Sequence, residues 1–318
     1  RWRHDMTTAA RDAEALASGA AARVVDRDVL SVTGPDARAY LQGQCSQDLD
    51  GLAVGATTEA LLLSPQGKVD AYLRVTRTGD DRFVLDTDPG CGDAARVRLE
   101  RFRLRTAVEI APLDWVCLSV RGPSAPTESV APGPTLALAV DWPGWSGVDL
   151  LGPRPAGDPE LDGWLPDGTV RCGSEPWEAA RIEAGVPVGG REITESTIAA
   201  EAGLVERTVS FTKGCFTGQE LVARLDARGS KVARRLRGLV VADGARPPVG
   251  AAVWTADGEH EVGTVTSAAW SDRRGATVAL ATLHRRVEPH DQVTLRGDVD
   301  ADGIEATAEV RDLPLAGS

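Results

Sequence analysis

Lys213-Gly214-Cys215-Phe216-Thr217-Gly218-Gln219-Glu220 is the stretch on which the reading of this chain turns. Thr217 and Glu220 have the spacing of a capping box, a hydroxyl followed three residues on by a carboxylate, just ahead of the apolar Leu221 and Val222. That spacing predicts a helix capped by Thr217 that runs through Leu221, Val222 and Leu225 and closes near Gly229. Cys215 would then stand two residues before the cap, near the unpaired N–H groups of the helix start. Their partial positive charge favours a thiolate, and so does the Lys213 ammonium. Gly214 and Gly218 permit a tight turn and the close approach of a planar ligand to the backbone. Cys215 and Lys213 are therefore the candidate chemical groups. The residues alone leave a second reading open, in which Cys215 is a small buried core side chain, as free cysteines commonly are.

Downstream, Arg224, Arg228, Lys231, Arg234, Arg235 and Arg237 form a run of cations with Asp226 as the one acid among them. Arg224 and Arg228, four apart, would share a helix face. In a chain of net charge −12 such a run suits an anionic partner, whether a polyglutamate tail, a phosphate or RNA. The alternative is a solvated basic face or ion pairs to the chain's own acids.

The acidic average argues against a general nucleic-acid or membrane-surface binder, because it repels phosphates. No stretch approaches the ~20 apolar residues of a membrane-spanning helix. The opening Arg1-Trp2-Arg3-His4-Asp5-Met6 lacks the apolar core of a signal peptide, so a cytoplasmic protein is the expectation. The five cysteines are widely spread and none forms a Cys-x-x-Cys pair. Neither a disulfide framework nor a bound metal is expected, which leaves room for one reactive thiol.

The 318 residues are enough for two or three domains. Up to residue 113 short β-like runs alternate with helical ones, the pattern of an α+β domain. Val24–Thr33 is β-rich, Ala37–Gln44 helical, and Ala60–Leu63 a continuous apolar run that stops at Ser64-Pro65-Gln66-Gly67. Lys68–Arg77 then reads as the returning strand of a hairpin, followed by a strand at Arg82–Asp86 and a helix at Asp93–Arg103. Residues 114–230 suggest a second α+β unit, with β-like fragments at Trp115–Val120, Thr135–Val140 and Ser146–Leu151 and proline-rich loops at Gly122–Pro134 and Gly152–Gly168. A helix opens at Pro176-Trp177-Glu178 and stops at Gly185. From 231 to 318 six short β-type runs, from Leu239–Ala242 to Ile304–Val310, are separated by Gly, Pro and Asp. Their even spacing predicts a small antiparallel barrel.

Lys213–Glu220, continuing into Leu221-Val222-Ala223-Arg224 and Arg228-Gly229, resembles the signature of the YgfZ family of folate-binding proteins. The resemblance extends to Tyr40-Leu41-Gln42-Gly43-Gln44, to Gln66-Gly67-Lys68, and to Arg181-Ile182-Glu183-Ala184-Gly185-Val186-Pro187. That family is similar to the T-protein of the glycine cleavage system, an aminomethyltransferase. The resemblance implies two interlocked α+β domains and a C-terminal barrel around a central folate pocket. It assigns Glu183 to the pterin ring, where a carboxylate can accept two N–H bonds from the 2-aminopyrimidine edge. It also places Arg181, Gln219, Arg224 and Tyr72 at the folate. A surface carboxylate near the helix stop is the alternative for Glu183.

Three positions depart from the pattern. Phe216 replaces a commoner Tyr, and Ala199 stands where Pro is frequent. More consequentially, the aminomethyltransferases carry an acid just after the hairpin turn, where this chain has Ala71 or Tyr72, with Asp70 on another face. The usual general acid/base is thus expected to be absent, which favours the YgfZ side. That side implies a tetrahydrofolate-dependent accessory factor for iron–sulfur enzyme synthesis or repair, with iron–sulfur client proteins as partners and tRNA modification as an indirect outcome. The competing expectations are a folate-dependent one-carbon transferase and a non-enzymatic RNA- or protein-binding adaptor. Direct nucleic-acid binding is the weaker of these given the charge.

Overall fold

The computed structural model describes residues 2–127, 136–156, 162–227, 229, 231–299 and 302–315. Its elements begin with α1 (Trp2–Ser18), β1 (Ala21–Val25), β2 (Asp28–Thr33), α2 (Ala37–Gln44) and β3 (Thr57–Leu63). Next come β4 (Val69–Gly79), β5 (Arg82–Thr87), α3 (Gly92–Arg101), β6 (Glu109–Leu113) and β7 (Trp115–Arg121). The middle of the chain forms β8 (Leu136–Trp142), β9 (Trp145–Pro153), β10 (Val170–Arg171), α4 (Ser174–Ala184), α5 (Val205–Thr208) and α6 (Gln219–Asp226). It ends in β11 (Arg234–Val241), β12 (Ala252–Thr255), β13 (Glu261–Ser271), β14 (Ala276–His284), β15 (Gln292–Val299) and β16 (Asp302–Arg311). Among the described residues no helix is long and apolar enough to cross a membrane.

Two compact units divide these elements, each drawn from separate segments. Arg1–Val25, Val116–Pro187 and Arg234–Ser318 form the barrel unit; Asp26–Trp115 and Val188–Ala233 form the signature unit, which holds Cys215. The signature unit is built on one five-stranded sheet in the order β3-β4-β5-β2-β6, antiparallel at each junction. Ala60 and Leu62 of β3 pack with Leu41 of α2 and Leu99 of α3, whereas Leu61 and Leu63 pack with Ile193, Leu204 and Val222. Both faces of β3 are covered, which is why Ala60–Leu63 reads as an unbroken apolar run. Burying each of these leucines stabilises the unit by about 1.5–3 kcal/mol relative to leaving it exposed.

In the barrel unit, β1 runs parallel to β10 and antiparallel to β7 within the sheet β10-β1-β7-β9-β8. One face of that sheet buries Leu118 and Leu150, the other Ala21 and Trp145 against Leu16 of α1 and Trp177 of α4. The last six strands close a barrel in the order β11-β14-β13-β12-β15-β16, all pairs antiparallel. Val253, Val265, Leu283 and Val310 are among its core residues, and closure leaves no strand edge open to other chains. Ala179 and Ile182 of α4 pack on Leu236, Val278 and Leu280. The six β-runs expected in this region are the six strands observed, and the fold is α+β with a C-terminal antiparallel barrel.

Two expectations need adjustment. Val24–Thr33 is not one strand: it breaks at Asp26-Arg27, and its halves enter different sheets as β1 and β2. Arg27 leaves the strand line to bind Asp86 and Asp88, and that turning point has no Gly or Pro to mark it. The alanine-rich opening is helical as α1, which its weak apolar stripe had not suggested. Residues 128–134 and 157–161 of the expected loops, and Thr135, lie outside the described residues.

Candidate functional site

The helix of the signature starts at Gln219, not at Thr217, and its cap is Gly218 with φ 82° and no side-chain capping bond. The expected capping box is therefore not formed. A tertiary crossing decides this. A Cβ placed on Gly218 would lie 2.5 Å from the Ser64 carbonyl oxygen and 2.7 Å from Leu63 Cβ. A Cβ on Gly67 would lie 2.6 Å from Leu221 Cβ. The hairpin turn Gln66-Gly67-Lys68 and the signature thus cross at two positions with no room for a side chain. A positive φ at both makes glycine the fitting residue twice over. Gly214, in contrast, has open space around it. Gln219 Oε1 accepts the Phe216 N–H at 2.9 Å and closes the turn, so this expected ligand residue holds backbone. Beside the crossing, Ile198, Ala199, Val205, Leu221 and Leu225 line a shallow apolar recess.

Lys213 also serves the scaffold. Its Nζ donates to the carbonyl oxygens of Gln42 at 2.6 Å, Cys45 at 2.7 Å and Gln47 at 2.9 Å. All three ammonium hydrogens are engaged, and burial lowers the amine below its ordinary value. The clamp ties the signature to the Tyr40–Gln44 motif. Cys215 is the exposed cysteine of the five: Cys45, Cys117 and Cys172 are buried and Cys91 is half-buried. The core-residue reading of Cys215 is set aside. Burial pushes the neighbouring Cys45 thiol up to about 12, so it is inert at neutral pH.

Tyr72 and Asp70 part company at a β-bulge. Leu62 pairs with Ala71 but Leu63 with Val69, which leaves Asp70 as the extra residue. Its carboxylate joins Arg98 at 3.1 Å, and Arg98 also donates to Gln44 Oε1 and the Leu63 carbonyl. Burial raises the Asp70 carboxyl, with Arg98 opposing it. Tyr72 packs its ring with the cluster that contains Phe216 and Val222. Its hydroxyl donates to Glu59 Oε1 at 2.7 Å and accepts from Arg207 Nη2 at 2.6 Å. Burial, and Glu59 beside it, raise the phenol well above its ordinary value.

In the barrel unit Glu183 is 2% exposed, so it is no surface carboxylate. Ser271 Oγ donates to its Oε1 at 2.6 Å; Arg273, and Arg274 Nε at 3.2 Å, reach its Oε2. Arg181, equally buried, donates to Glu178, to Ser267 Oγ at 2.6 Å and to the Val186 carbonyl at 2.5 Å. The structure thus keeps the seven expected site residues in two groups. Cys215, Lys213, Gln219, Arg224 and Tyr72 belong to the signature unit, Glu183 and Arg181 to the barrel unit.

The cationic run is divided between elements, and the helix face expected for Arg224 and Arg228 involves a residue outside the described ones. Arg224 is exposed on α6, Arg228 lies outside the described residues, and Arg234, Arg235 and Arg237 are in β11, where Arg237 pairs with Asp312. The sequence reading missed Arg98, Glu59, Arg207 and the Ser271-Asp272-Arg273-Arg274 turn. Two adjacent arginines at a barrel turn of an acidic chain were the one local signal available. Among the described residues no group of three or more His, Cys, Asp or Glu is placed to hold a metal ion.

Residues 5–128 match the GCVT N-terminal domain family and residues 234–316 the glycine cleavage T-protein C-terminal barrel domain family. The chain is 28% identical to the tRNA-modifying protein YgfZ of Shigella sonnei, over 88% of this chain and 90% of that one. Its counterpart in Escherichia coli strain K12 gives the same figures. An uncharacterized protein of Haemophilus influenzae is 29% identical over 64% of this chain and 67% of its own length. Among solved structures, the glycine cleavage system aminomethyltransferase T of Bartonella henselae superposes with a TM-score of 0.82 at 20% identity. That superposition covers 96% of this chain and 88% of the other.

Proposed function

Because the chain belongs to the glycine cleavage T-protein superfamily, among its YgfZ-type members, we propose that it binds tetrahydrofolate and acts in the cytoplasm as an accessory protein for iron–sulfur enzyme synthesis or repair. It would support tRNA modification indirectly, through those enzymes. The observation that carries the reading is Cys215. A thiol left exposed by a turn that two crossing glycines, the Gln219 bond and the Lys213 clamp all hold in place is a group kept for chemistry.

The donor chemistry also accommodates folate. The buried Glu183 carboxylate already binds a guanidinium, whose forked N–H edge is of the same kind as the 2-aminopyrimidine edge of a pterin. Tetrahydrofolate would supply a one-carbon carrier, and this chain would orient its ring through Glu183. Against an aminomethyltransferase reading stands Asp70, turned to Arg98 by the bulge rather than free for proton transfer. The test is Cys215→Ala, expressed in cells lacking the native gene and assayed for the activity of an iron–sulfur enzyme. Loss of maturation is expected; full maturation would remove the thiol from the proposal.

A further inference from the structure

The turn that faces Glu183 carries an inference that rests on the tetrahydrofolate reading above. The Glu183 carboxylate receives donors from Ser271, Arg273 and Arg274. A carboxylate offers about four lone-pair sites, and a pterin edge needs two of them, so one present donor has to leave. Ser271 is buried, and its oxygen also accepts the Arg274 backbone N–H at 3.2 Å. Arg274 is 20% exposed on its side chain and donates in addition to the Leu315 carbonyl. Arg273 is different. Its side chain is 43% exposed, and its guanidinium lies 5.2 Å from the centroid of the Trp145 ring. It can give up the carboxylate and keep both the ring and water as partners.

We infer that Arg273 is an intramolecular stand-in for the ligand. Its Nη2 occupies Oε2 of the carboxylate, and the pterin binds by displacing it. This makes Arg273 a specificity determinant. A ligand with a paired N–H edge, such as a 2-aminopyrimidinone, replaces the one bond of Arg273 and adds a second, whereas one with a single N–H only matches what Arg273 already gives and loses the competition.

The experiment is a calorimetric titration of tetrahydrofolate into the full chain as wild type, Arg273→Met and Glu183→Gln, each first shown by its melt to be folded. Arg273→Met keeps the aliphatic stem and removes the competitor. It is expected to bind about two- to fivefold more tightly than wild type, the range of a half-exposed ion pair. Glu183→Gln is expected to lose binding. Equal or weaker binding by Arg273→Met, with wild type binding normally, overturns the stand-in and leaves the folate reading intact. Absence of binding in both wild type and Arg273→Met overturns the folate reading, and the stand-in with it.

Discussion

Around Cys215 the charge faces inward and the sulfur outward: Lys213 is bound to three backbone carbonyls while the thiol is exposed. Around Glu183 the order is reversed, for the charged group is itself buried and its arginine partners reach in from more exposed positions. The difference separates two kinds of sensitivity. Substitutions in the signature turn act on folding, because its side chains hold backbone. Under the proposed reading, substitutions around Glu183 act on binding, because its partners would exchange with the ligand.

The largest effect should come from Gly218→Ala. The added Cβ meets the Ser64 carbonyl and Leu63 at distances no packing tolerates, in a backbone conformation that alanine disfavours. About 3 kcal/mol of destabilisation is expected in a denaturant titration, combining left-handed strain with overpacking. A change below the error of that titration would show that the crossing is looser than described. Lys213→Met should follow at about 2 kcal/mol, since it strands three carbonyls of the Gln42–Gln47 segment. Its pH signature is distinct. The folded amine titrates below the ordinary 10.5, so in the interval between the two values the unfolded chain holds more protons. Wild-type stability therefore gains a contribution as alkaline pH rises towards 10.5, and the Met variant lacks that gain.

Asp70→Asn should be the mildest. Burial raises this carboxyl above 3.8, so its contribution is fully present below 3.8 and is lost as pH climbs through the folded value. The Asn variant should lack that loss of stability as pH climbs through mild acid. A contribution of wild-type Asp70 that grows as pH climbs would mean that the Arg98 pair outweighs burial.

What could be read from the sequence followed from local regularities. The barrel strands alternate between Gly, Pro and Asp breaks, Ala60–Leu63 declares a strand buried on both faces, and Gly185 ends α4 where a left-handed residue must. What could not be read depends on partners far along the chain. Thr217 and Glu220 satisfy the capping pattern, yet Leu63 and Ser64 set the helix start. Lys213 sits two residues from Cys215, but its hydrogens go to Gln42, Cys45 and Gln47. Glu183 was legible as a special carboxylate only through resemblance, because Ser271, Arg273 and Arg274 lie in another element.

Folate recognition through Glu183 meets its most direct test in tetrahydrofolate binding by wild-type protein and by Glu183→Gln under matched conditions. Saturable one-to-one binding by the wild type, lost in the variant while its melt stays cooperative, is the expected result. No binding by the wild type, or equal binding by both proteins, would contradict it.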